Sequence, residues 1–200
     1  MIAAATAVRQ IANPSTSLRT GLSYQTFNRR MGLWLFIFSE SMVFLALLAS
    51  RFYMQGTFRP AEMNQGLGLI ITSILLLSSF TANRAEVAIA HGDRSSFLRL
   101  LTITIVLGVV FLAGVVTIEW PETLHYAPLS TGFGTLFFAI TGLHAFHVLT
   151  GVFILALVGL HGWRGRYTAQ DHWGAEGSII YWHFVDVVWV LVYPTLYLIG

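Results

Sequence analysis

Five apolar runs, each long enough or nearly long enough to cross a lipid bilayer, decide what this chain can fold into. A spanning helix needs about 20 predominantly apolar residues, and segments 32–52, 66–82, 97–118, 131–160 and 177–200 meet or approach that length. Between them lie short connections rich in Gly, Pro, Ser and charge. Composition points the same way: of 200 residues, 56% are hydrophobic and only 10% charged, more apolar surface than one globule of this size can bury. The expected fold is all-α, an integral membrane bundle of five transmembrane helices, with a polar N-terminal tail at 1–28 and one membrane unit at 29–200. The tail lacks the long apolar stretch of a signal peptide and is expected to be retained.

Arginine sets the expected orientation. All eleven basic residues are Arg. Arg9, Arg19, Arg29, Arg30, Arg84, Arg94, Arg99, Arg164 and Arg166 fall on one side of the five crossings, and only Arg51 and Arg59 on the other. Positive charge gathers on the inner face, so the N-terminus is expected inside and the C-terminus outside. The third connection, with Glu119, Glu122 and His125 and with Pro121 and Pro128 bracketing it, then lies outside. The arginines stand singly, forming no basic stripe, so nucleic acid is not an expected partner. Cysteine is absent, which excludes disulfides, thiolate metal sites and thiol nucleophiles. In the second connection, His91–Ser96, Ser95 or Ser96 is the expected helix cap.

Ionisable groups inside spans are functional candidates by default. Glu40 lies eight residues past Gly32, roughly 12 Å into its helix. A carboxylate there must be protonated, paired or wetted, and a largely neutral acid is expected. It is either a buried acid bonded to Ser39, Ser41 or a neighbouring helix, or a proton-relay or lipid-contact group. His144 and His147, at i and i+3, share a helix face. His183 and Asp186 do the same on the fifth helix and could complete a metal site with the first pair. Their spacing does not suit stacked haems, and polar contact between helices is the favoured reading. No nucleophile motif accompanies the His–Asp pair, so hydrolysis is not expected. Small residues at Gly134, Ala139, Gly142, Ala145 and Gly151 suggest that the fourth helix packs on protein.

Four blocks carry a family resemblance. The run from Arg30 through Trp34 to Glu40 and Ser41, the stretch His91-Gly-Asp-Arg94 continuing to Glu119, the run Thr141-Gly-Leu-His144-Ala-Phe-His147, and above all Tyr181-Trp-His183-Phe-Val-Asp186-Val-Val-Trp189 resemble subunit III of the haem–copper terminal oxidases. With His172 and Glu176 ahead of the last block, the likeness covers about residues 25–200. Many members have seven helices; this sequence matches the last five, as in the shorter bacterial form.

The resemblance implies a non-catalytic subunit of an aerobic cytochrome c oxidase in a bacterial plasma membrane. Such a subunit holds no cofactor itself. It packs against subunit I, which carries haem and copper, beside subunit II with its copper and other small subunits. It supports assembly, proton uptake and the lifetime of the catalytic subunit, and it binds phospholipid in a cleft. Glu40 would be the carbodiimide-reactive carboxylate of that cleft, with Trp34 beside it and Arg30 or Arg84 meeting a headgroup. His144, His147, His172, Glu176, His183 and Asp186 would form a polar network that packs helices. Alternatives are the equivalent subunit of a quinol oxidase, the accessory protein of nitric oxide reductases and, from a different class, a small proton-coupled transporter. The last would show paired repeats and helices broken near the midplane, whereas Pro194 sits near a span end with no counterpart.

Overall fold

A computed structural model of the chain describes the backbone of residues 14–199 and the side chains of residues 27–199. Residues 1–13 of the expected tail, the side chains of Arg9 and Arg19, and Gly200 lie outside the described residues. Every regular element among the described residues is helical: α1 (Pro14–Gln55), α2 (Gln65–Ala90), α3 (Arg94–Gly114), α4 (Trp120–Tyr126), α5 (Gly132–Trp163) and α6 (Trp173–Tyr193). A π-helical turn, Val115–Glu119, joins α3 to α4, and another, Pro194–Leu198, extends α6. Five helical stretches among the described residues are long and apolar enough to cross a membrane: Phe27–Gln55, Gln65–Ala90, Arg94–Tyr126, Gly132–Trp163 and Trp173–Leu198.

The chain divides into two compact units, one ending at Phe38 and one beginning at Ser39. The described side chains of the first belong to α1 and are mostly exposed, among them Phe27, Trp34, Leu35 and Phe38. In the second, α2 packs on α3, α3 on α5, α5 on α6, and α6 back on α2, closing an antiparallel ring of four helices. Its outer side chains, such as Phe80, Phe146, Phe153 and Val187, are apolar and exposed, the arrangement lipid demands and water penalises.

The centre of the ring is organised by two tryptophans of α6, Trp182 and Trp189, both fully buried. Trp182 lies between Gly108 of α3 and Gly151 of α5, where an added Cβ would sit 2.6 and 2.8 Å from its ring. Only hydrogen at those positions lets three helices meet around an indole. Each indole N–H also needs an acceptor away from water. Trp182 donates to Ser78 Oγ at 3.0 Å and Trp189 to Thr72 Oγ1 at 3.0 Å. Those hydroxyls in turn donate to the Leu75 and Gly68 carbonyls of α2.

Helix ends depart from expectation in three places. The second span does not stop near Arg84 but runs to Ala90, because polar residues can continue a helix beyond the apolar layer. It closes at Gly92 (φ +77°), with Gly92 N–H on Ile89 O and Asp93 N–H on Ala88 O, a Schellman motif that requires a left-handed residue. The turn is so tight that Asp93, not Ser95 or Ser96, caps α3: its Oδ1 accepts from Ser96 N–H at 3.0 Å. That Ser96 contact holds the Asp93 carboxyl below the usual carboxylate range. Third, Pro121 does not end the third span. The helix continues through the π-helical turn to Tyr126, with Pro121 in the first turn of α4 directly after that turn. Glu119, expected in an outer loop, is buried at 3% exposure.

Candidate functional site

Glu40 is brought to His147. Its Oε2 lies 3.2 Å from His147 Nε2, and the carboxyl is a quarter exposed where the imidazole is nearly sealed. On the other side of the ring, Nδ1 meets the Leu143 carbonyl at 2.8 Å. A carbonyl only accepts, so Nδ1 carries a hydrogen. Nε2 is then either an acceptor, with Glu40 bringing the proton, or a donor to an ionised Glu40. In both states one proton is held between the two groups and the pair as a whole is neutral, which satisfies the rule that charge in the membrane must be paired. Phe44, buried one turn along α1, stands edge-on to His147 with centroids 5.1 Å apart, and Tyr181 donates to the His147 carbonyl at 3.2 Å.

The neighbouring candidates do not join that pair. His144 is buried, and neither of its ring nitrogens has a hydrogen-bond partner. Its ring packs on Trp189 at 4.7 Å and meets the edges of Phe111 and Phe44. His183 Nδ1 meets Ser79 Oγ of α2 at 2.7 Å. Asp186, buried one turn further, has no hydrogen-bond partner for either carboxylate oxygen. Glu176 and His172 stand at the start of α6, within electrostatic reach of Glu86 on α2, and His172 Nδ1 meets the Thr168 carbonyl. Arg84 is exposed on α2; Arg30 and Trp34 are exposed on α1 in the first unit. Among the described residues, no group of three His, Cys, Asp or Glu is arranged to hold a metal ion.

Several working residues escaped sequence reasoning. Ser79, Ser78 and Thr72 look like ordinary small residues of an apolar helix. The signal that could have found them is that α6 carries two tryptophans and a histidine, whose N–H groups and ring nitrogens need partners in lipid. Arg51 reads in the sequence only as one of the two outer-side arginines. It is instead fully buried, donating from Nη1 to Gly56 O at 2.7 Å and from Nη2 to Phe58 O at 2.6 Å, with its guanidinium carbon 5.3 Å from the centre of the Phe133 ring.

An apolar cavity of about 120 Å³ lies between α1 and α6, lined by Ser41, Phe44, Leu45, Leu48, Phe184 and Val187 among others. Phe44 is thus shared: it is both a wall of this groove and the ring that abuts His147.

Comparison with known proteins agrees with this architecture. The family described as cytochrome c oxidase subunit III matches residues 8–200. Cytochrome c oxidase subunit 3 of Thermostichus vulcanus is 36% identical over 180 residues, spanning 86% of this chain and 87% of the relative. The subunit of the same name from Synechocystis sp. is 31% identical over 186 residues, with 86% and 76% covered. That of Scyliorhinus canicula is 34% identical over 183 residues, with 84% and 68% covered.

Proposed function

The chain belongs to the cytochrome c oxidase subunit III family, and on that footing we propose that it is the non-catalytic subunit III of an aerobic respiratory cytochrome c oxidase. It packs against subunit I, beside subunit II and smaller subunits, and supports assembly, proton uptake and the working lifetime of the catalytic subunit. It contributes no haem or copper of its own; those belong to the partners. The membrane is a bacterial plasma membrane, with the N-terminus inside.

The observation that carries this reading is the Glu40–His147 pair. A two-sided proton relay needs an imidazole that can pass a proton from one nitrogen to an acceptor beyond the other. Here the far nitrogen is committed to a backbone carbonyl, which cannot take the proton on. The pair is built to hold α1 against α5 at a fixed protonation sum, and the chemistry is left to another subunit. The groove behind Phe44 is apolar, which supports the proposal that phospholipid lies along α1 beside Glu40. Arg84, and on the first unit Arg30 and Trp34, are the proposed contacts for lipid on their own segments.

Purification in mild detergent tests this. The chain should bring haem-bearing partners with it and the preparation should show a haem spectrum, whereas the separated chain should be colourless. A separated chain that retains stoichiometric haem or copper would contradict the proposal.

A further inference from the structure

The two π-helical turns meet at one end of the bundle. Glu119 closes the turn after α3, and Tyr197 lies in the turn after α6. Both face one small cavity, whose polar wall is completed by Asn64, Glu122, Thr123 and Tyr126. Neither finds a partner within the protein: both carboxylate oxygens of Glu119 and the hydroxyl of Tyr197 make no hydrogen bond, although the two residues are 3% and 2% exposed. Two buried, unpartnered polar side chains aimed into one space form an unusual combination, since buried groups of this kind are almost always paired.

Protonating Glu119 would not resolve it. A neutral carboxyl still has an O–H to donate and a carbonyl to satisfy, and the Tyr197 hydroxyl would remain bare. One ligand that touches both resolves both. The cavity leaves about 10 Å³ for the centre of a water-sized sphere, room for a single water or a bare ion. The chemistry of the wall selects between them. Every polar group on it can offer oxygen, there is no nitrogen heterocycle or sulfur, and two carboxyl groups, Glu119 and Glu122, can supply negative charge to a bound cation, with no basic residue lining the space. Oxygen-only donors with excess negative charge are the preference of hard cations, and flexible mixed carboxylate, amide and hydroxyl sets suit Ca2+ better than the strict octahedron of Mg2+.

We infer that Glu119, Glu122 and the Tyr197 hydroxyl form a binding site for one hard cation of the Ca2+ class, which pins the end of α6 to the α3–α4 junction. The π-helical turns have a role in this reading: each shifts the register of its helix so that Glu119 and Tyr197 point into the same space. π-turns of this kind often mark functional positions. Arg59, which donates to the Tyr197 carbonyl at 2.7 Å, holds the same turn from its backbone side. The site stands independently of the oxidase reading, because it uses only groups of this chain.

The test uses the full chain in detergent, with Tb3+ as a luminescent stand-in excited through nearby tyrosines and Ca2+ as the competitor. Wild type should show sensitised Tb3+ emission that Ca2+ displaces, and Ca2+ should raise its melting temperature. Glu119→Gln should weaken Ca2+ displacement by about tenfold or more, the scale on which single groups at a metal site are felt. Glu122→Gln and Tyr197→Phe should weaken it by less, each keeping wild-type helix content. Should Glu119→Gln not fold, the other two variants carry the same comparison. Wild type that neither binds Tb3+ nor responds to millimolar Ca2+ would overturn the inference. So would variants that bind as tightly as wild type, since the ion would then sit elsewhere.

Discussion

The two ends of the bundle are held together by different means. At the end formed by residues 91–93 and 164–172, both connections turn through a left-handed glycine, Gly92 and Gly165, with the paired bonds of a Schellman motif. Backbone geometry closes them, and Arg84, Arg99, Arg164 and Arg166 remain exposed. Arg94 reaches across, to the Trp163 carbonyl. At the end formed by residues 56–63, 119–131 and 194–198, one connection also turns through a left-handed glycine, Gly56, but side-chain ties are added to the backbone turns. Arg51 ties down the Gly56 and Phe58 carbonyls, Arg59 ties down Tyr197, and π-helical turns replace clean helix ends. The lesson is that an arginine tally conflates two populations. The two arginines expected on the outer side are internal ties on carbonyls; those of the opposite end are mostly surface charge.

This difference can be broken or sharpened by experiment. The largest effect is all-or-none. The chain has no cysteine, so Ser130→Cys and Gln170→Cys, one at each end and both exposed, can be labelled without background. With a membrane-impermeant reagent on intact membranes they should react from opposite sides, Ser130→Cys from outside; reaction from the same side would refute the proposed topology.

Next in size is the buried tie. Arg51→Ala strands two carbonyls and opens space beside Phe133, and should cost about 3 kcal/mol of stability in detergent unfolding. Arg51→Lys, which keeps the charge but not the two-pronged reach, should fall between that and wild type. Arg164→Ala at the other end should change stability by no more than about 0.5 kcal/mol. Equal losses at Arg51 and Arg164 would erase the distinction between the two ends.

How far the sequence foretold this follows the same division. The five spans were legible because lipid demands continuous apolar length, a local property. Element ends were less so: Pro121 read as a loop boundary because a proline usually stops a helix, and the π-helical turn that accommodates it leaves no local mark. Ser95 and Ser96 were plausible caps by residue type, but the tight Gly92 turn hands that place to Asp93. At the candidate site, Glu40 and His147 each stood out alone as polar groups in apolar helices. Their contact spans 107 positions of sequence and depends on how α1 lies on α5, which no periodicity encodes. Ser79 and Arg51 were missed for a related reason: their partners, a distant imidazole and a pair of turn carbonyls, exist only in the folded chain.

The smallest predicted effect is also the most direct test of the central claim, that this subunit positions and protects but does not perform the chemistry. Glu40→Gln keeps the shape and can still donate to His147 Nε2, while removing ionisation. Glu40→Ala removes the contact and leaves that nitrogen unpaired. The measurement is initial oxygen-reduction turnover, and its decay, in oxidase complexes carrying wild type, Glu40→Gln or Glu40→Ala. The account predicts near-wild-type initial turnover with Glu40→Gln, and with Glu40→Ala a faster decay or a weaker association of the subunit. Abolition of initial turnover by Glu40→Gln alone would contradict it, because an obligatory proton would then pass through Glu40.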